Sequence, residues 1–357
     1  MVNKCVMDKK GFIWLATEGG LSRFDGLNFR NFTQKTDDTL SLPAHLLTNI
    51  VSDNNEKLWL GSNKCLFSFN IKTEKIYAPD HYLAKGEIKA IAIDTLNDCL
   101  WFINETLHKL GCYHYNNGQM DTFKSKMPQN ACDIEMYKGA LFMSFQRIGV
   151  YKFDLKTHKK SKVLDNWTLN FYKDKNRLWI SVWQDNLYLY DDVSDSFISY
   201  NLDISINGDP QVYISMSLTK APSISPDNIL WIATQADGLV AYNTDQKKPV
   251  FGYKYSPREK QSIVTDYTNY IYYDKLGNLW LCSWRGLMLI NPLDQEFKSK
   301  QLEYLDTRGY NSVNGMVRDK INPEIIWISA NGSGICKYNT QKQKALKQFF
   351  YYDENAD

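Results

Sequence analysis

The chain of 357 residues contains no run of about 18 uncharged apolar residues, so nothing in it reads as a transmembrane helix. Its first residues, MVNKCVMDKKG, lack the apolar core of a secretory signal peptide, and the chain as written would stay where it is made. Excess charge is also missing. With 42 basic and 40 acidic residues the net charge is +2, which gives no reason to expect nucleic acid or an anionic membrane surface as partner. The short basic run THKKSK (157–162) reads as a solvated loop. Cysteine is sparse and odd in number: seven, at 5, 65, 99, 112, 132, 282 and 336, with no C-x-x-C pair. That spacing reads as small buried side chains or free thiols, and not as a disulfide framework or a zinc site. Five scattered histidines form no H-E-x-x-H, and there is no nucleophile elbow or phosphate-binding glycine loop. No metal and no cofactor is expected.

What is present is aromatic repetition. The pattern apolar-Trp-apolar-small returns as FIWLA (Trp14), KLWLG (Trp59), CLWFI (Trp101), ALFMS (Phe142), RLWIS (Trp179), ILWIA (Trp231), NLWLC (Trp280) and IIWIS (Trp327). These eight copies are 37 to 52 residues apart and use seven of the ten tryptophans as their anchor. Each follows an apolar–polar alternation ending in a turn, and precedes a second short strand such as LSRFD, LFSFN, VYKFD or LVAYN. A fourth run usually follows. Period-two alternation bounded by Asp, Asn and Gly predicts strands, and four strands per 40–50 residues is the signature of a propeller blade.

Strand geometry supports this. The residue two after the anchor shares its face and is Ala16, Gly61, Ile103, Ser144, Ser181, Ala233, Cys282 or Ser329, small in seven of eight copies. The residue one after it is always apolar, so both faces of the strand are buried, as expected between two neighbouring sheets. The small residue leaves room for the next blade.

The stretch D-x-x-G-x-I-W-L-A-T-E-G-G-L-S-R-F-D-G (8–26) resembles the regulator-propeller repeat of bacterial hybrid two-component sensors. The fit is tight at 8–25, good around Trp59, Trp231 and Trp280, and degenerate around Trp101 and Phe142. DDTLSLPAHLLTNIVSD (37–53) also matches the linker between the first two blades of that family. The resemblance implies the periplasmic sensor half of a membrane protein. It implies tandem seven-bladed propellers, a ligand from polysaccharide breakdown, and output through kinase and DNA-binding modules. This sequence departs from the pattern by having no signal peptide, starting directly on a blade's first strand, and ending at YYDENAD. It reads as a truncated product, whose partners would be an oligosaccharide and the rest of the sensor or a homodimer partner.

The expectation is therefore an all-β protein: a β-propeller of four-stranded blades, with a seven-bladed ring over 1–310 and an eighth blade motif over 311–357 that starts a second ring. Closure of all eight into one ring is the alternative.

Loops between second and third strands, and those between blades, gather on one propeller face, where pockets form. The position four after each anchor is Glu18, Asn63, Glu105, Gln146, Trp183, Gln235, Trp284 or Asn331, never aliphatic, with Arg147, Asp185, Asp237 and Arg285 beside it. Indole faces next to amides and carboxylates suit sugars, because rings cover C–H faces while polar groups take hydroxyls. Candidate ligand residues are thus Trp183, Trp284, Glu18, Gln146, Arg147, Asp185, Asp237 and Arg285. A propeller lyase or glycosidase is the alternative. Two facing carboxylates roughly 5–10 Å apart would be needed for hydrolysis, and Glu18, Glu105, Asp185 and Asp237 could supply them, with His45 in an inter-blade loop. Nothing marks any two of these as a pair, so a binding role and not an enzyme is expected. A protein-interaction scaffold is the third class, in which an eighth copy outside the ring would expose strand edges.

Overall fold

The computed structural model describes residues 1–34, 41–53, 56–174, 176–183, 187–200, 215–220, 228–234, 238–256, 262–274, 276–291, 313–330, 334–342 and 344–349. Among them strands form eight antiparallel sheets, spanning 2–32, 47–77, 88–126, 131–164, 168–200, 215–253, 268–290 and 313–349, here numbered 1 to 8 in chain order. Each has its strands in simple up-and-down order. Seven are four-stranded. Sheet 7 has three strands, and the expected fourth would fall on residues 292–312, outside the described ones. A 3-10 turn at Tyr82–Ala84 is the one helical element among the described residues, and no helix there is long and apolar enough to cross a membrane.

Contacts divide the chain into two compact units, Met1–Leu293 and Asp294–Asp357. In the first unit the leading strand of each sheet packs on that of the next. The leading strand of sheet 1, Val2–Met7, packs in turn on Thr268–Tyr273 and Leu279–Ser283 of sheet 7, which closes a seven-bladed propeller.

The eight anchors lie in the second strands. Trp14, Trp59 and Trp179 are at most 1% exposed. Each anchor in the ring meets a large apolar or aromatic residue at or next to the end of the third strand of the following sheet. Ring centroids are 5.5 Å apart for Trp14 and Phe69, 5.2 Å for Trp59 and Tyr113, and 6.1 Å for Trp101 and Phe153. Phe142 and Tyr190 are 4.8 Å apart, and Trp179 shares a cluster with Tyr242. Trp231 packs in one cluster with Ile290. Trp280 closes the circle on Phe24 of sheet 1 at 5.9 Å.

The small position two after the anchor also faces the next sheet. A Cβ on Gly61 would come within 2.7 Å of the Ile88 carbonyl oxygen, a clash with backbone. The Ser144 hydroxyl donates to the Leu169 carbonyl at 2.6 Å. Cys282 is fully buried against Cys5 across the closing seam, and burial together with that thiol pushes Cys282 up. All seven cysteines are free.

The D-x-x-G turns have one detailed geometry. Gly11 and Gly277 take φ of +89° and +93°, a region that glycine enters at no steric cost. Asp8 Oδ1 accepts from the Lys10 and Phe12 amides, and Asp8 Oδ2 accepts from the Trp14 indole at 2.8 Å. Asp274 repeats this with the Leu276 and Asn278 amides and the Trp280 indole, also at 2.8 Å. Asp319 holds Trp327 at 3.0 Å in sheet 8.

Sheet 8 keeps the blade pattern but exposes residues whose counterparts in the ring are covered. Met316, the partner of Ile328, is 69% exposed, whereas Cys5, Ile50, Ile91, Ile134 and Ile271 at the equivalent register are buried.

The hypothesis that the aspartate locks turn to anchor predicts that Asp274→Ala destabilises the ring by about 1–3 kcal/mol, because the buried indole N–H loses its acceptor. Urea unfolding followed by tryptophan fluorescence measures this, and an unchanged midpoint would remove the motif's stabilising role.

Candidate ligand site

In sheets 1 to 5 the position four after the anchor is held against the chain entering its own sheet. Its amide donates to the carbonyl just before the leading strand: Glu18 to Met1 at 3.2 Å, Asn63 to Leu46 at 3.2 Å, and Glu105 to Glu87 at 2.8 Å. Gln146 donates to Asn130 at 2.8 Å and Trp183 to Trp167 at 2.7 Å. The residue before it caps the turn. Thr17, Ser62, Thr234 and Ser283 hydroxyls donate to carbonyls three or four residues on, at 2.7–3.0 Å. Second-to-third-strand turns and incoming segments therefore share one edge of the ring, and side chains there stand on fixed backbone.

At sheet 7 this edge forms a pocket of about 580 Å³ lined by Tyr255, Val264, Thr265, Asp266, Tyr267, Trp284 and Arg285. Trp284 sits in the turn between Leu279–Ser283 and Gly286–Ile290 and is 71% exposed. Its indole donates to Asn269 Oδ1 at 3.1 Å, which orients the ring against its own leading strand. The neighbouring Arg285 reaches the Val264 carbonyl at 3.4 Å, and its amide bonds Ser283 Oγ at 3.1 Å. Asp266 Oδ1 accepts from the Tyr255 amide at 2.6 Å, joining the two ends of the inter-blade segment. Thr265 Oγ1 accepts from the Tyr267 amide at 3.2 Å. Tyr255, Val264 and Tyr267 are exposed. Neither Asp266 nor Arg285 makes an ion pair among the described residues. The pocket thus offers three aromatic faces with one carboxylate and one guanidinium on a rigid rim.

The sequence candidates divide as follows. Trp284 and Arg285 share this pocket. Trp183 lies elsewhere, stacked on Trp167 with ring centroids 4.7 Å apart and planes 13° apart. Arg147 covers the other side of Trp167 at 4.5 Å, and Gln146 is next to it. Trp183 therefore spends one face inside the protein. Glu18 is exposed beside the N-terminal amine, 3.4 Å away. Asp185 and Asp237 lie outside the described residues, as do Gln235 and Asn331. Of the other carboxylates considered, Glu105 is taken up by the Asn130 and Ala131 amides of sheet 4. His45 is exposed. Sequence reasoning missed Tyr255, Val264, Thr265, Asp266 and Tyr267. A signal existed: Trp167-Thr168 and Tyr267-Thr268 occupy the same repeat position, just before a leading strand.

A second cavity of about 340 Å³ lies among the leading strands, lined by Lys4, Asp133, Glu135, Lys173, Tyr270 and Tyr272 with apolar neighbours. Asp133 accepts from the Phe171 amide at 3.1 Å and faces Lys4 Nζ at 3.9 Å. Burial pushes its carboxyl above the usual range, with Lys4 opposing. A raised folded-state value means that Asp133 favours folding when protonated, an advantage lost as pH rises through that value. Asp133→Asn should then unfold at higher urea than the parent at pH 7 and show no gain below about pH 4. A gain independent of pH would refute a titration effect.

No family model matches the sequence, and no curated protein matches it. Solved structures do. The extracellular domain of a protein described as a hybrid two component system, BT4673 from B. thetaiotaomicron, superposes with a TM-score of 0.67 at 16% identity, over 99% of this chain and 46% of that one. The corresponding domain of BT3049 from the same organism gives 0.66 at 19% identity, over 99% and 52%. Virginiamycin B lyase from Staphylococcus aureus gives 0.60 at 12% identity, over 80% and 92%. The chain spans about half the length of the two extracellular domains. At these identities the likeness is one of fold: the chain shares its fold with these two extracellular domains.

Proposed function

We propose that this chain is the ligand-sensing propeller region of a hybrid two-component regulator, acting on the periplasmic side. Its ligand is an oligosaccharide released from a polysaccharide, and the Trp284 pocket receives it. One observation carries the reading: an exposed indole held in place by Asn269 shares a pocket with two exposed tyrosines, Asp266 and Arg285. A sugar ring presents C–H faces to aromatic rings and hydroxyls to charged groups, and the pocket offers both kinds of partner. The likeness in fold to extracellular sensor domains supports binding in preference to catalysis.

Calorimetry against a panel of oligosaccharides tests the reading. Trp284→Ala is expected to weaken the responding sugar at least tenfold, since an aromatic wall is worth more than about 1.4 kcal/mol. Trp183→Ala, with its ring stacked on Trp167, should change affinity little. Silence from every sugar, or equal binding by Trp284→Ala, would discard the site. Elimination or hydrolysis of a panel sugar would instead favour an enzyme.

We also propose that sheet 8 is the first blade of a second ring. Its exposed Met316 and Ile335 stand where ring blades meet a neighbour. Changing both to Gln should reduce concentration-dependent self-association in sedimentation runs while leaving the urea midpoint of the ring unchanged. Association that persists in the double variant would count against an uncovered blade face.

A further inference from the structure

We propose that sheet 3 carries a zinc site built from Cys99, Cys112, His114 and Asp121. One ligand atom each from Cys99, Cys112 and His114 lies within 4.8 Å of the others. His114 Nε2 is 3.9 Å from Cys112 Sγ and 2.8 Å from Asp121 Oδ2. Strand register brings them together. Cys99 is directly opposite His114, and Cys112 is directly opposite Asp121. Opposed residues share a sheet face, as do residues two apart on one strand, so all four side chains project to the same side. The spacing in the sequence hides this because three different strands supply the ligands.

The thiol–imidazole spacing is close to that of a tetrahedral ion's ligands, and Asp121 reaches the group through His114. With Zn–S near 2.3 Å and Zn–N near 2.0 Å, neighbouring ligand atoms stand roughly 3.6 Å apart, against the 3.9 Å between Cys112 Sγ and His114 Nε2. A disulfide suits less well. Cys99 and Cys112 are diagonal neighbours, since Cys112 pairs with Trp101. Diagonal positions are about 7 Å apart, beyond the roughly 4 Å between Cβ atoms that a disulfide needs.

The donor set of two thiols, an imidazole and a carboxylate is the borderline-soft mixture that selects zinc over magnesium or calcium. Both thiols are buried, while His114 and Asp121 are partly exposed and give an entry path. Gln119 donates to Asp121 Oδ1 at 3.1 Å, which leaves Oδ2 aimed at the site. Bound zinc would replace the proton between His114 and Asp121 and the thiol protons of Cys99 and Cys112, which pass to solvent, and would clip the outer strand Met120–Lys126 to the two strands inside it.

The test uses the full chain with its thiols reduced, and Co²⁺ as a spectroscopic probe. One equivalent should give a thiolate-to-cobalt charge-transfer band and tetrahedral d–d bands, both abolished by competing Zn²⁺. Zn²⁺ should also protect two thiols from a thiol reagent. His114→Ala and Asp121→Ala, at the accessible rim, should each weaken binding at least about tenfold, and Cys65→Ser should leave the spectrum unchanged. Circular dichroism checks that each variant is folded. A reduced, folded parent without the charge-transfer band, or a full-strength band in His114→Ala, would overturn the proposal.

Discussion

The first unit depends on one recurring contact: a large ring in the second strand of each of its seven sheets pressed against the third strand of the next sheet around the ring. Burying roughly 200 Å² of ring at about 25 cal/mol per Å² is on the order of 5 kcal/mol. That exceeds the cost of about 1–3 kcal/mol for leaving an indole N–H without an acceptor. The indoles of Trp59, Trp101 and Trp231 bear this out, being buried with no hydrogen-bond partner among the described residues. Among the described residues no aspartate accepts from these indoles, yet each still packs on the third strand of the next sheet. Packing is therefore the common cause of the repeat, and the aspartate bond is an addition in some blades. Phe142 makes the point from the other side, since it has no N–H and keeps the contact with Tyr190.

This contact also explains why the ring has an edge that can hold ligands. Once anchors and small residues fix neighbouring sheets, the second-to-third-strand turns are pinned by hydroxyl caps and by amide bonds to the incoming chain. Whether an aromatic there becomes a wall or a platform depends on its neighbour. Trp183 meets Trp167, which lies flat against it. Trp284 meets Tyr267 across open space. The same repeat position gives a packed stack in one blade and a pocket in another.

Much of the fold was legible in the residues. The anchor, the small residue two places on, and the flanking turns are local signals, and each found its counterpart in a buried strand. The site was legible in part. Trp284 and Arg285 belong to the turn that the repeat singled out, but their companions Tyr255, Asp266 and Tyr267 come from the segment between sheets 6 and 7. Such segments vary in length and carry no alternation, so no period points to them.

The sequence by itself determined that this chain makes strands in sets of four with both faces of the second strand covered. Side-chain direction alternates along a strand whatever surrounds it, so apolar spacing already specifies which faces must be buried. Only the tertiary structure decided where the circle closes, with Trp280 on Phe24 and Cys282 on Cys5. It also decided which loop residues share a pocket. The closure depends on contacts between segments more than two hundred residues apart, and the pocket on how an inter-blade segment folds back over a neighbouring turn, neither of which is a property of a single repeat.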